Sequence, residues 1–414
     1  MNQIYGLVGE KLAHSFSPLI HKLIWDCDYG LFELSEPQCT DFLKRREFSG
    51  VNVTIPYKVL AYRACDTLDE AARKIGCVNT LLNRNGSLQG YNTDYAGFLY
   101  CAERAGISFG GQKVLILGSG GTSLTARAVA AGQGAREVVV VSRNGENNYE
   151  NLHRHADADV IVNTTPVGMY PGNGKTPIDL AMFGRCGAVM DMIYNPLTTA
   201  LLDAARQRGV RYANGLPMLV AQGVRAAEIF SGRRFPEEVT ESVIFGVLTK
   251  MQNVILVGMP GSGKTSIGRK LAGRLGRPFV DTDALIEERT GRKVPGIIRE
   301  DGEEEFRRIE SEAVFEAGKL TSAVIACGGG SVLKAENRLP LTQNGRVYYV
   351  KRDIGLLSTD GRPLSKSTDA LFDMLAKREP LYKSICDMEV ENIDINSCVE
   401  QLLDDFLCRS NKNI

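Results

Sequence analysis

Lys264 and Thr265 close the run Gly258-Met259-Pro260-Gly261-Ser262-Gly263-Lys264-Thr265, which fits the pattern G-x-x-x-x-G-K-[ST] at every position. In such a run the glycines let backbone N–H groups curl around phosphate oxygens. The lysine reaches the outer phosphates, and the hydroxyl sits on Mg²⁺. The other reading, a glycine-rich turn with an incidental lysine, is opposed by the flanks. Asn253–Val257 is an apolar run of strand length, and Ser266 to Leu275 carries apolar residues at Ile267, Leu271 and Leu275, a helical spacing. Strand, glycine loop and helix together describe a nucleotide site whose helix N-terminus favours an anion. Gly258, Gly261, Ser262, Gly263, Lys264, Thr265 and Ser266 are its expected nucleotide contacts, and a second domain is expected to open here.

A second group of chemistry-bearing residues lies in the first hundred positions. Ile4 to Val8 reads as a strand, followed by Ser15 and Ser17 at the entrance of a helix starting near Pro18. Two hydroxyls there are commonly helix caps. Asn52-Val53-Thr54-Ile55-Pro56-Tyr57-Lys58 ends a strand with a threonine and a lysine, and Lys58 taken alone reads as a surface lysine. Gly76-Cys77-Val78-Asn79-Thr80 and Gly90-Tyr91-Asn92-Thr93-Asp94 each set a polar side chain beside a glycine turn. Further on, the apolar run Gln112 to Leu117 leads into Gly118-Ser119-Gly120-Gly121-Thr122 and a helical stretch through Ala131, a compact dinucleotide loop. The next strand, Glu137 to Val141, ends in Ser142-Arg143-Asn144. An NAD site would place an acidic residue there for the ribose hydroxyl, whereas an arginine suits a 2′-phosphate, so NADP is expected.

The segments H-S-x-S-P, N-V-T-x-P-x-K, G-x-V-N-T and G-x-N-T-D occur in this order, so that residues 1–249 resemble the shikimate dehydrogenase family. Thr164-Thr165-Pro166-Val167-Gly168-Met169, Asp191-Met192-Ile193-Tyr194-Asn195-Pro196 and Gly215-Leu216-Pro217-Met218-Leu219-Val220-Ala221-Gln222 extend the likeness, while Ser142 and Asn144 depart from the family's N-R-T. The resemblance implies that Lys58 and Asp94 are the catalytic pair, a proton donor for the ketone oxygen and the carboxylate that orients it. It implies that Ser15, Ser17, Thr54, Asn79, Tyr194 and Gln222 hold a polyhydroxy acid. Gly118, Ser119, Gly120, Gly121, Ser142, Arg143, Met192 and Gly215 would meet NADP(H). The implied architecture is a substrate lobe (1–98, with return helices at about 215–249) around a Rossmann-like lobe (99–214).

Past the glycine loop, Phe279-Val280-Asp281-Thr282-Asp283 reads as a strand ending in two carboxylates, and Phe306-Arg307-Arg308-Ile309-Glu310 lies on a helix. Gly328-Gly329-Gly330 follows the strand Ala323–Cys327, and Arg378-Glu379-Pro380-Leu381-Tyr382 comes later. Alone, Arg307 is a solvated helix charge. As a set, these motifs resemble shikimate kinase over 250–414, an α/β, P-loop NTPase-type fold with a parallel sheet. The resemblance implies that Asp283 holds the acceptor hydroxyl, that Arg307 and Arg378 grip the substrate carboxylate, and that Gly329 and Gly330 line the pocket. Asp281 and Thr265 would meet Mg²⁺. Arg362, within Arg362-Pro363-Leu364, would face the transferred phosphate. The segment between Tyr349 and Leu364 is shorter than in many members, and Leu356-Leu357-Ser358-Thr359 stands where many have an arginine against the adenine.

The whole chain fits this division. Its 414 residues suffice for two or three domains, and 49 Lys plus Arg balance 49 Asp plus Glu, so nothing points to nucleic acid. There is no signal pattern and no membrane-spanning apolar run, which leads to the expectation of a cytoplasmic protein. Ten cysteines without a C-x-x-C pair read as reduced thiols, and four histidines, His153 and His155 among them on an expected solvated surface, make a histidine metal cluster improbable. Thr249-Lys250-Met251-Gln252 is the one candidate linker. The sequence sets no oligomeric state. The expected function is bifunctional: NADPH-dependent reduction of 3-dehydroshikimate, then MgATP-dependent phosphorylation of shikimate. The alternatives are a quinate-type dehydrogenase, and a kinase half with weakened catalysis or a sensor role.

Overall fold

The computed structural model describes residues 3–13, 15–25, 27–357 and 368–408. The chain divides into two compact units, Met1–Val247 and Leu248–Ile414. The first unit holds two sheets. One is mixed and contains β1 (Tyr5–Gly9), β2 (Tyr29–Glu33), β3 (Gly50–Val53), β4 (Thr67–Leu68), β5 (Thr80–Arg84) and β6 (Ser87–Tyr91), in the order β2-β1-β3-β5-β6-β4. The other contains β7 (Lys113–Leu117), β8 (Glu137–Val141), β9 (Val160–Asn163), β10 (Ala188–Asp191) and β11 (Arg211–Asn214), all parallel, in the order β11-β10-β9-β7-β8. The second unit is built on β12 (Asn253–Val257), β13 (Phe279–Asp281), β14 (Val324–Ala326), β15 (Gly345–Lys351) and β16 (Met388–Glu391), parallel throughout, ordered β13-β14-β12-β15-β16.

The two parallel sheets explain why their central strands are continuous apolar runs. Every residue of β7 and β12 is buried, because helices cover both faces. Successive side chains of β7 alternate between two cores, Val114 and Ile116 facing one and Leu115 and Leu117 the other. In β12, Ile255 and Val257 face one core, Val254 and Leu256 the other. In each sheet the strand order reverses around this strand. The crevice at its C-terminal end is where ligands bind such folds, and both glycine loops sit there.

The mixed sheet relies on a helix from far along the chain. Leu216–Ser231 packs against the helices Thr93–Arg104 and Ser17–Ile24. Gly97 permits the first contact, since a Cβ there would lie 2.7 Å from the Met218 carbonyl oxygen and 3.0 Å from Gln222. Gly223 permits the second, where a Cβ would stand 2.8 Å from Ile20. These close approaches carry Gln222 toward Asp94.

Several boundaries differ from the sequence reading, each for a local reason. Asp283 is not on a strand: β13 ends at Asp281, whose side chain caps the helix Thr282–Thr290 by accepting the Asp283 and Ala284 amides. Lys58 likewise opens the helix Lys58–Ala64 rather than ending β3. The glycine-loop helix begins at Lys264, directly after Gly263 in the left-handed conformation at φ 96°. Thr249, Lys250 and Met251 form the last turn of the helix Glu237–Met251, so Gln252 alone separates helix from β12. The helix Thr93–Arg104 runs unbroken across the expected boundary at 98/99. His153 is exposed, but His155 is half-buried with Nε2 3.0 Å from Asn147 Oδ1. No disulfide forms among the described residues, which include all ten cysteines. Among the described residues no group of three or more His, Cys, Asp or Glu is placed to hold a metal, and no helix is long and apolar enough to cross a membrane.

Candidate active sites

In the first unit a cavity of about 760 Å³ is lined by Ser15, Ser17, Thr54, Lys58, Asn79, Asp94, Tyr194 and Gln222, and also by Met192 and Gly215. Lys58 sits one turn beyond β3, Asp94 in the first turn of Thr93–Arg104, and Asn79 just before β5. Lys58 Nζ stands 2.6 Å from Asp94 Oδ2, and Asn79 Nδ2 donates to Asp94 Oδ1 at 2.9 Å. Burial alone would lower the Lys58 pKa, but the Asp94 carboxylate outweighs it and holds the ammonium above its ordinary value. Lys58 is therefore held as a cation by Asp94 at the floor of the cavity. At the entrance of the helix Ser17–Ile24 the Ser15 hydroxyl accepts the Ser17 amide at 3.2 Å, as a capping hydroxyl does, while the N-cap residue Phe16 makes no side-chain cap bond. Sequence reasoning assigned no part to Asn52, Lys11, Glu33, Ile55 and Thr122, which also line the cavity.

The dinucleotide loop lies at the C-terminal end of β7. Gly118, at φ 105°, leaves no room for a Cβ, which would fall 2.8 Å from Thr164 Oγ1. Gly120 and Gly121 face open space at the start of the helix Gly121–Gly132, and Gly120 provides no side-chain cap. Free amides at a helix entrance with no Cβ in the way fit a pyrophosphate. Thr122, on the first turn of that helix, reaches the 760 Å³ cavity, whereas Gly118, Ser119, Gly120, Gly121, Ser142 and Arg143 do not line it. Ser142 and Arg143 follow the end of β8, next to β7.

Asp191, at the end of β10, is fully buried. Its carboxylate accepts from Asn163 Nδ2 (2.9 Å), the Thr199 hydroxyl (2.6 Å) and the Ile193 amide (3.2 Å), joining β9, β10 and the segment that carries Met192 and Tyr194. Burial raises its pKa from 3.8 to about 6, against the pull of those donors. Because the folded state holds this proton more tightly, the contribution is fully present below pH 4 and is lost as pH rises through 6. Asp191→Asn is therefore expected to gain on the wild type by up to about 3 kcal/mol in stability of this unit between pH 4 and pH 7. Denaturant titrations followed by fluorescence of Trp25, the single tryptophan, measure it. A pH-independent difference would show that Asp191 is ionised throughout.

In the second unit a cavity of about 560 Å³ joins the glycine loop to the acidic and basic residues. Its lining includes Gly261, Gly263, Lys264, Thr265, Ser266, Asp281, Asp283, Arg307, Gly329, Gly330 and Arg378. Gly258, Gly261 and Gly263 all have positive φ, which a side chain would strain. Gly258 packs on the Val350 carbonyl of β15, and the Ser262 hydroxyl is buried without a partner among the described residues. Lys264 Nζ is folded back onto the Gly258 and Met259 carbonyls at 2.8 and 2.9 Å. The Thr265 hydroxyl donates to Asp281 Oδ2 at 2.7 Å, which puts two hard oxygen ligands side by side beneath the loop, a donor set that fits Mg²⁺.

Asp283 faces this floor. Burial raises its carboxyl to about 6, and the neighbouring Asp281 and Glu310 carboxylates add to the rise. The three glycines are required by crowding, not by φ. A Cβ on Gly328 would stand 2.6 Å from Asp283 Oδ1, one on Gly329 2.6 Å from Pro260, and one on Gly330 would overlap the Arg307 guanidinium. Arg307 is buried and pairs with Glu310 at 2.6 Å and Glu303 at 2.9 Å, whereas Arg308 points to solvent. Arg378 Nη1 donates to the Gly329 carbonyl at 2.9 Å, and the Tyr382 hydroxyl donates to the same oxygen. Sequence reasoning gave no role to Glu310 and Tyr382, although their spacing from Arg307 and Arg378 (i,i+3 and i,i+4) places each pair on one helix face. Arg362, Pro363, Leu364, Ser358 and Thr359 lie outside the described residues.

Taken together, the chain joins a dinucleotide-dependent oxidoreductase site to a phosphate-loop phosphotransferase site. Family models match three stretches: the shikimate dehydrogenase substrate binding domain over residues 7–81, the shikimate 5′-dehydrogenase C-terminal domain over 215–245, and shikimate kinase over 260–407. An NADP⁺ shikimate dehydrogenase of Clostridium perfringens is 34% identical over 262 residues, 58% of this chain and 97% of that protein. Among solved structures, a chorismate mutase/shikimate 5-dehydrogenase fusion protein from Clostridium acetobutylicum matches with TM-score 0.56 at 36% identity, covering 60% of this chain and 97% of the other. The Thermus thermophilus shikimate 5-dehydrogenase in complex with NADP(H) and shikimate matches with TM-score 0.53 at 31% identity, covering 58% and 98%. The chain belongs to the shikimate dehydrogenase family and carries a shikimate kinase domain after it.

Proposed function

We propose that the first unit reduces 3-dehydroshikimate to shikimate with NADPH and that the second phosphorylates shikimate to shikimate 3-phosphate with MgATP. The observation that carries this reading is the Lys58–Asp94 contact inside a cavity of hydroxyl and amide groups. Such a lining suits a polyhydroxy acid. NADPH supplies the hydride to the carbonyl carbon, and Lys58 donates its proton to the carbonyl oxygen as charge develops there. Asp94, fixed by Asn79, holds the ammonium in line. Ser15 and Ser17 bind the carboxylate end, with Thr54, Tyr194 and Gln222 around the ring.

MgATP supplies the phosphoryl group in the second unit. Lys264 and the loop amides hold its phosphates, and Thr265 and Asp281 hold the metal directly or through water. Asp283 accepts the hydrogen bond of the attacking hydroxyl and takes its proton, while Arg307 and Arg378 orient the substrate through its carboxylate. Arg362 completes the charge around the transferred group. Purified protein given 3-dehydroshikimate, NADPH, ATP and Mg²⁺ is expected to oxidise the cofactor and release shikimate 3-phosphate, read by absorbance and mass spectrometry. NADPH oxidation without the phosphate ester would overturn the kinase assignment. Faster oxidation of quinate than of shikimate in the reverse assay would overturn the first.

The cofactor preference has its own test. Arg143 follows β8, next to the glycine-loop strand, in place of the acidic residue of an NAD site, so Arg143→Ala is expected to weaken NADPH use by roughly tenfold, the scale of a charge-assisted pair. NADH use should barely change. Equal losses with both cofactors would make Arg143 a structural or adenine-binding residue.

A further inference from the structure

Behind the substrate cavity, His21 lies almost fully buried on the helix Ser17–Ile24 and takes no part in the mechanism so far. Its Nε2 is 3.2 Å from Asn52 Oδ1, and the same oxygen accepts from the Tyr29 hydroxyl at 2.7 Å. Asn52 Nδ2 donates to the Asn79 carbonyl at 3.3 Å and to the Thr80 hydroxyl at 2.9 Å. A carbonyl can only accept, so this contact fixes which end of the Asn52 amide faces which way. Oδ1 must face His21, and His21 must donate from Nε2. Its Nδ1 then carries no proton, consistent with that atom being buried without a hydrogen-bond partner among the described residues. Burial pushes the imidazole pKa down to about 4, so the ring is neutral.

The bonds continue to the reacting groups. Asn79 Nδ2 holds Asp94 Oδ1, and Asp94 Oδ2 holds Lys58. We propose that His21 is a positioning residue for the dehydrogenase, setting the Lys58–Asp94 pair through Asn52 and Asn79 by its single Nε2–H donor. Tyr29 serves the same amide. Its ring stacks on His21 with centroids 4.1 Å apart, and Phe230 stacks on the imidazole at 5.9 Å. A ring at position 21 therefore has two separable parts: an apolar plate between Tyr29 and Phe230, and a donor aimed at Asn52.

Two substitutions separate them. His21→Phe keeps the plate and loses the donor. His21→Gln loses the plate and keeps an N–H at a comparable reach. A packing role predicts that the phenylalanine variant works better, and the positioning role predicts the reverse. For reduction of 3-dehydroshikimate, kcat is expected to fall about tenfold in His21→Phe, the scale of a small misalignment of reacting groups, and to return most of the way in His21→Gln. KM for NADPH should not move in either.

The inference rests on the dehydrogenase reading, so one measurement avoids substrate altogether. Acetylation of Lys58 by acetic anhydride, followed by mass spectrometry and normalised to exposed lysines, reports how firmly Asp94 holds the ammonium. Loosening the pair leaves more free amine, so the rate should rise severalfold in His21→Phe and stay near wild type in His21→Gln. Tyr29→Phe, which keeps the stack and removes the second donor, should shift the rate the same way and covers the case of a His21 variant that does not fold. Unchanged Lys58 reactivity in both donor-less variants, or turnover higher in His21→Phe than in His21→Gln, would overturn the proposal. Inactivity of the wild type toward 3-dehydroshikimate, with the acetylation pattern as expected, would instead overturn the substrate assignment alone.

Discussion

Asp283→Asn is expected to lower phosphorylation of shikimate by about 10³-fold or more, within the range for losing a positioned base. ATP should still bind. Lys264 rests on the Gly258 and Met259 carbonyls, Thr265 is bonded to Asp281, and the Asp283 atom that touches Asp281 is its backbone amide, which the substitution leaves intact. The variant should also be slightly more stable to heat, because Asp283 shares its buried floor with Asp281 and Glu310 and its carboxyl is raised by them. Active sites store repulsion of this kind. Turnover in a coupled assay, nucleotide binding by calorimetry and thermal melting together check it. A parallel collapse of ATP affinity would make Asp283 a metal or structural residue.

Lys58→Met is expected to cut reduction of 3-dehydroshikimate by roughly 10²-fold or more. Methionine fills the space of the lysine stem but leaves the Asp94 carboxylate facing the ketone oxygen with no proton to give. The Asn79 contact to Asp94 survives, so the cavity should keep its shape and KM should change less than kcat. Kinase turnover in the same preparation should be unchanged. Near-normal reduction would remove Lys58 from the mechanism.

The chemistry-bearing loops were legible in the sequence because each needs particular residue types at fixed short spacings. Gly258 to Thr265 could be placed on a strand–loop–helix unit before any coordinates, and Thr54, Lys58, Asn79 and Asp94 do line one cavity. The elements carrying Lys58 and Asp283 were misplaced. Asp281 was read as part of a strand running through Asp283, but an aspartate at a strand end can equally cap a helix, and here its side chain does so. Thr249 to Met251 looked like a linker because a helix end without glycine or proline gives no stop signal.

What could not be read is what depends on contacts between distant residues. Nothing near Arg307 says that it turns inward while Arg308 turns outward; that is decided by the Gly330 floor. The reason for three successive glycines was likewise hidden, since their φ values are ordinary and only the packed neighbours exclude a Cβ. Asn52 and His21 carry no spacing signal relative to Asn79, and the contact between them is made by pairing of β3 with β5 and packing of a helix on the sheet.

The helix Leu216–Ser231 bears on how the chain is made. One face of the mixed sheet is covered by helices encoded among its own strands. The other is covered in part by His21 and Trp25, and in part by Phe230 and Ala226, with Phe230 seated on Tyr5 and over Gly50, where a Cβ would come within 2.5 Å of the ring. During synthesis that second part emerges about 139 residues after Tyr91, a delay of roughly 7–28 s at ordinary elongation rates. Meanwhile β7 to β11 and the helices beside them can close around Val114 to Leu117, with Met218 alone in their two cores coming from the late helix. The stretch that leaves the ribosome first is thus completed after its successor, with the sides of Tyr5 and Leu82 that meet Phe230 and Ala226 open to water in between. That interval is when the nascent chain is most exposed to proteases and to self-association, and it ends only when residue 230 is out of the exit tunnel.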